Sequence, residues 1–147
     1  MGDISIFKSQ LSLKELEDKL LTLSQVDIPT EHVFSGGIYI RQVLMPKGTI
    51  VIGKRHKHET CNMLVRGTLA LYMGKDKPVS IISGPFLFTS PPGTKKMAYC
   101  CEDSVFINMH PTDKIDLEEI EAEFIIPEQE YIEQQLQLDT GNKEEIT

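Results

Sequence analysis

The sequence predicts a mainly β domain, a barrel or sandwich, with helical segments at both ends. From Val33 to Asn108, short β-prone apolar runs follow one another, and most are bounded by Gly or Pro turns. Outside that stretch the apolar residues recur at helical spacing instead. The length, 147 residues with 40% hydrophobic and 25% charged, suits one domain with a real core.

At the N-terminal end, Ser12-Leu13-Lys14-Glu15 reads as a capping box, with Leu11 and Leu16 in the staple positions. Leu13, Leu16, Leu20 and Leu23 then form one apolar stripe, and Pro29 ends any continuation. Residues 1–32 are therefore expected to form a helical segment. The β region is assigned 33–111. Its expected strands are Ile38–Met45, Thr49–Ile52, Met63–Val65, Thr68–Met73, Val79–Ile82, Phe86–Phe88, Met97–Cys101 and Ser104–Met109. The turns between them are Pro46-Lys47-Gly48, Arg66-Gly67, Gly74-Lys75-Asp76-Lys77-Pro78, Gly84-Pro85, Pro91-Pro92-Gly93 and Glu102-Asp103. The interior is expected from Ile50, Ile52, Leu69, Leu71, Phe86, Phe88, Val105 and Ile107, or from their alternates. Asp116 with Glu119 and Ile115 with Ile120 repeat the box and staple, and Leu117, Ile120 and Phe124 share a face. Residues 112–138 are read as one or two acidic helices, and 139–147 as a polar mobile tail.

The net charge of −7 is unevenly spread. Residues 112–147 hold twelve Asp/Glu against two Lys, whereas residues 53–96 hold eight Lys/Arg against two acids. An acidic chain with a basic middle argues against a nucleic-acid polymer as partner and suits a local site for a small anion. No run approaches the roughly 18 apolar residues that span a bilayer, and no secretory signal is visible, so no membrane contact and a cytoplasmic location are expected. Cys61, Cys100 and Cys101 have no paired spacing and read as reduced thiols.

The chemistry concentrates in Lys54-Arg55-His56-Lys57-His58-Glu59. On a strand Lys54, His56 and His58 share one face. If that face is the interior, two imidazoles converge, which suits Zn, Fe, Mn, Ni or Cu. Glu59 has the opposite parity unless the strand bulges there. His110 can add a ligand from the last strand, at the rim beside Pro111. The bland alternative is two solvated histidines on a polar strand. Tyr72 and Tyr99 are candidates to line a pocket, though strand tyrosines are more often simply packed.

Gly48, His56-Lys57-His58, Glu59 and Gly67, followed by Gly84 and Pro91-Pro92-Gly93, resemble the two motifs of the cupin superfamily, small jelly-roll barrels. The resemblance covers residues 36–110. A second register sets Lys54 and His56 on the paired-histidine positions with Glu59 in its usual place, and in either register Lys96 stands where the family has a third histidine. The overall layout, including His110-Pro111-Thr112 and the helix after it, is similar to cupin-like proteins of tailed bacteriophages and prophages. The resemblance implies a cupin-like jelly-roll barrel with an N-terminal helix and one or two C-terminal helices, and a metal held by His56, His58 and Glu59. Lys96 would oppose such a metal and itself attract an anion. Three functions follow as expectations. The first is binding of a small anionic ligand by Lys54, His56, His58, Arg66, Lys96 and Tyr99, for which the phage resemblance implies a host metabolite or nucleotide signal. The second is a metal-dependent isomerase, lyase or dioxygenase, and the third is a structural role. A homodimer is expected on the general ground that jelly-roll edges need covering.

Overall fold

The computed structural model describes residues 12–74 and 77–146, with side chains described as far as Leu138. In chain order the elements are α1 (Leu13–Leu20), β1 (Thr30–Ser35), β2 (Ile38–Met45), β3 (Ile50–Ile52), β4 (Arg55–His56), β5 (Thr60–Arg66) and β6 (Thr68–Tyr72). Then follow β7 (Ser80–Ser83), β8 (Phe86–Ser90), β9 (Met97–Cys100), β10 (Ser104–Pro111), α2 (Leu117–Phe124), β11 (Ile125–Ile126) and α3 (Glu128–Ile146).

Antiparallel pairing builds a five-stranded sheet in the order β1-β2-β10-β5-β8 and a four-stranded sheet in the order β3-β9-β6-β7. Successive strands repeatedly switch sheets, at Gly67 between β5 and β6 and again between β7 and β8, which makes the sandwich a jelly roll. The short ribbon β4-β11 closes one end.

Alternation along the strands sorts the core into an interior and an outer layer. Val43, Met45, Leu64, Leu69, Leu71, Ala98, Cys100 and Phe106 pack between the sheets. On the back of the four-stranded sheet, Leu13 and Leu16 of α1 pack on Ala70, Tyr72 and Met97, with Ile50 and Tyr99 beside them. Helix α1 is capped as its sequence predicts: the Glu15 amide donates to Ser12 Oγ at 3.2 Å. Its stripe stops short, because Leu23 lies beyond the helix and is 61% exposed. Of the expected staple, Leu11 lies outside the described residues. Lys75 and Asp76 of the expected β6–β7 turn do too, as do the side chains of the expected mobile tail; the α3 backbone is helical through Ile146.

Several expectations change. β1 begins at Thr30 and forms a hairpin with β2 through Gly36-Gly37, so the helical segment ends earlier than expected. The interior parity, open in the sequence, resolves to Val51, Phe106 and Asn108 rather than Ile50, Val105 and Ile107, while Leu69, Leu71 and Phe88 face inward and Phe86 is 43% exposed. At α2 the Glu118 and Glu119 amides donate to Asp116 Oδ1, but the staple is not formed, since Ile115 is 73% exposed. Leu117 is also exposed, while Ile120 and Phe124 are buried against Tyr39.

Gly67 shows how tight the sheet-switching corner is. Its φ is +99°, and a Cβ there would lie 2.1 Å from Ser104 Oγ and 2.7 Å from the Asp103 carbonyl oxygen. Gly36 has no atom within 4 Å of a built Cβ and no left-handed φ. Gly67→Ala should therefore destabilise the fold by on the order of 3 kcal/mol, strain and overlap together, whereas Gly36→Ala should stay within about 0.5 kcal/mol of the parent. Urea unfolding of the two variants measures the contrast.

Candidate functional site

A cavity of about 470 Å³ lies between the sheets and under α2. The strand register gives it two unlike ends. Across the five-stranded sheet, Thr30, Val43, Phe106, Leu64 and Phe86 lie in one row. Two residues along, the row is His32, Arg41, Asn108, Asn62 and Phe88. The next pairs Phe34, Tyr39 and His110. From the opposite sheet Ala98 faces the first zone, while Lys96, two residues back in the same pleat, and His56 line the cavity toward the second. One end is thus hydrocarbon, and the other holds Arg41, Lys96, Asn108 and the imidazoles of His32, His56 and His110.

Helix α2 and β11 cover the polar end. The Lys57 amide donates to the Phe124 carbonyl at 2.8 Å, and His56 pairs with Ile125. Phe124 lies 4.7 Å from His110 by ring centroids, with Ile120 and Leu117 beside it along the lining.

Most of the cations that looked like a site hold this cover in place. Lys54 pairs with Glu121 at the cavity mouth, and Lys57 Nζ donates to the Ala122 carbonyl at 2.9 Å, near the negative end of α2. Arg55 reaches the Gly93 carbonyl at 2.8 Å and Glu128 at 3.3 Å, and lies 3.6 Å over the ring of Tyr131. Buried Lys95 pairs with Glu17 of α1 and Glu128 of α3, each at 3.1 Å. Burial alone would raise the Glu128 carboxyl, but Lys95 and Arg55 hold it below the usual range. Three cations of the basic middle, Lys54, Arg55 and Lys95, are thus paired with carboxylates of the acidic C-terminal part.

Lys96 and Arg41 are different. Neither is in an ion pair among the described residues. Lys96 Nζ donates only to Ser90 Oγ, at 3.3 Å, and burial lowers its pKa to about 8. Ser90 is fixed in turn by Asn62, whose Nδ2 donates to it at 3.1 Å and whose Oδ1 accepts from Asn108 at 2.7 Å. This buried amide network gives the polar end a rigid floor.

No family model matches the chain, and no curated protein matches it. Solved structures do. KdgF from Halomonas sp. is 18% identical, with a TM-score of 0.48 over 58% of this chain and 82% of that one. An RmlC-like cupin family protein with a double-stranded β-helix fold, from Methanocaldococcus jannaschii, is 13% identical at TM-score 0.48, covering 61% and 84%. An acetylacetone dioxygenase from Acinetobacter johnsonii is 15% identical at TM-score 0.49, covering 61% and 63%. By its own strand order the chain is a two-sheet jelly-roll barrel.

In this barrel the ligand set that the resemblance implies does not converge. β4 ends at His56, because its backbone is taken up by Thr94 and Gly93 on one side and by β11 on the other. The chain bends at residues 57–58, so Lys54, His56 and His58 do not share a face. His58 and Glu59 are exposed, with His58 edge-on to Phe124 at 5.8 Å. His56 faces His110 instead, 5.3 Å between centroids. Two imidazoles beside the Lys96 ammonium, with no carboxylate or thiolate completing a set of three among the described residues, do not fit a metal.

Of the residues expected to bind ligand, the structure brings Lys54, His56 and Lys96 to the cavity. Arg66 ends β5 on the exposed surface, and Tyr99 faces α1, since its pleat neighbours Ala98 and Cys100 face inward. His110, expected at the rim, is buried under Phe124. Arg41, Asn108 and Tyr39 were missed. The alternation Tyr39-Arg41-Val43-Met45 carried the signal, because it sets Arg41 on the pleat face of three apolar residues.

Burial, then Lys96, His110 and Arg41, lower the His56 pKa to about 3. Burial, then Lys96, Arg41 and His58, lower that of His110 to about 4. Unfolded histidine protonates near pH 6.5, so below about 6.5 the unfolded chain binds more protons and stability falls as pH falls. The urea midpoint should drop between about pH 6.5 and pH 4, and the His56→Gln, His110→Asn double variant should show a shallower slope.

Proposed function

We propose that this barrel binds a small anionic molecule in its cavity. The observation that carries this reading is the pair of cavity-lining cations, half-buried Lys96 and exposed Arg41, without a carboxylate partner among the described residues, in a protein that has paired its buried lysine, Lys95, twice. A desolvated ammonium is costly unless something compensates it, and an anion between Lys96 and Arg41 does so. The neighbouring His56 and His110 are held neutral and Lys54 is paired with Glu121, so Arg41 and Lys96 are the lysine and arginine of the lining left to meet an anion. Arg41 offers a planar fork suited to a carboxylate or phosphate, and Lys96 a compact point charge.

Calorimetric titration of the full chain with a panel of small carboxylates and phosphates tests the proposal. At least one should bind at pH 7, and Lys96→Met should weaken it by at least about thirtyfold, the cost of removing one buried charge partner. Lys96 loses its proton above about pH 8. Affinity should therefore fall as pH rises through that value, and the Lys96→Arg variant should be flat over the same range. An affinity untouched by Lys96→Met would remove the basis of the proposal.

A further inference from the structure

The two unlike ends of the cavity constrain the ligand beyond its charge. Past Arg41 and Lys96 the walls are Val43, Val51, Leu69, Leu71, Ala98 and Phe106, with no polar side chain among them. A polar group pushed into that zone would lose its water and find no partner. The charge available at the polar end is also small, because Lys54 is taken by Glu121. Two cations can flank one carboxylate or offset a phosphate monoester, and they fall short of a polyphosphate; it is the hydrocarbon walls that favour the carboxylate. A nucleobase or sugar has hydrogen-bonding edges that hydrocarbon cannot satisfy. The volume, about 470 Å³, lies within the range of roughly 300–1,000 Å³ that encloses small organic ligands.

The geometry points to an amphipathic monoanion: a carboxylate held between Arg41 and Lys96, with a hydrocarbon body lying along Val43, Leu69, Leu71, Ala98 and Phe106. This rests on the anion-binding reading and sharpens it. The rigid Asn62–Asn108 floor sits at the boundary between the two zones, where the head group would end and the body begin. The mouth beside Leu117 and Glu121 is partly polar, so the head sits nearer the cover and the tail toward the apolar end.

The test is calorimetry on the full chain with acetate, butyrate, hexanoate and octanoate, set against inorganic phosphate, AMP and octan-1-ol. Affinity should rise about fourfold for each methylene added, and octanoate should exceed phosphate, AMP and octanol by at least about tenfold. Ala98→Leu fills the apolar end and should weaken octanoate while leaving butyrate unchanged. If that variant does not fold, Val51→Leu makes the same comparison, with the circular dichroism melt as the check on folding. Carboxylates that bind with no dependence on chain length, or AMP or phosphate binding more tightly than octanoate, would overturn the amphipathic ligand and leave the anion site standing. Octanol binding as well as octanoate would overturn the carboxylate head. If none of the anions binds, both this inference and the anion-binding reading fall.

Discussion

The interior depends on the register that β10 keeps with β2 on one side and β5 on the other. Phe106 lies opposite Val43 and Leu64, and Asn108 opposite Arg41 and Asn62. A slip of one residue in β10 would turn Phe106 and Asn108 outward and bring Val105 and Ile107 in. It would abolish the amide pair and leave Arg41 facing hydrocarbon. The pairing is held by two full ladders, and the irregularity between Val105 and Phe106 lies at the apolar end, away from Asn108.

The cover is held by different forces. β11 contributes two residues of pairing to β4, too little to fix a helix by itself. What fixes it is a set of contacts distributed over three elements: Tyr39 beneath Ile120 and Phe124, Arg55 between Gly93 and Glu128, and Lys95 between α1 and α3. Lys54–Glu121 is exposed on both sides and contributes at most about 1 kcal/mol. Lys95 is buried between the two carboxylates, and its loss would leave Glu17 without a cation.

Local signals were legible in the sequence. The limits of β2 and most of the other strands, the turns at Gly67 and Gly93, and the caps Ser12 and Asp116 all follow from residue type and spacing within a few positions. What the sequence hid is set by partners far along the chain. Whether His58 continues the face of His56 is decided by Thr94 and by Phe124 and Ile125. The role of Lys54, Arg55 and Lys57 is decided by Glu121, Ala122 and Glu128. Read locally, the stretch 54–59 is a cluster of ligands. In the fold it is chiefly a clasp, and only His56 and the edge of Lys54 reach the cavity. Lys96 was legible as a departure from the resemblance, but Arg41 was hidden by its ordinary place in a strand.

Lys96 occupies the place where the resemblance would have set a third imidazole. A cation borrowed from solution must be acquired, can be exchanged for a competitor, and can be stripped by a chelator. The ammonium of Lys96 and the guanidinium of Arg41 are synthesised with the chain. The positive end of this barrel is therefore complete as soon as the protein folds, whatever metals its surroundings supply.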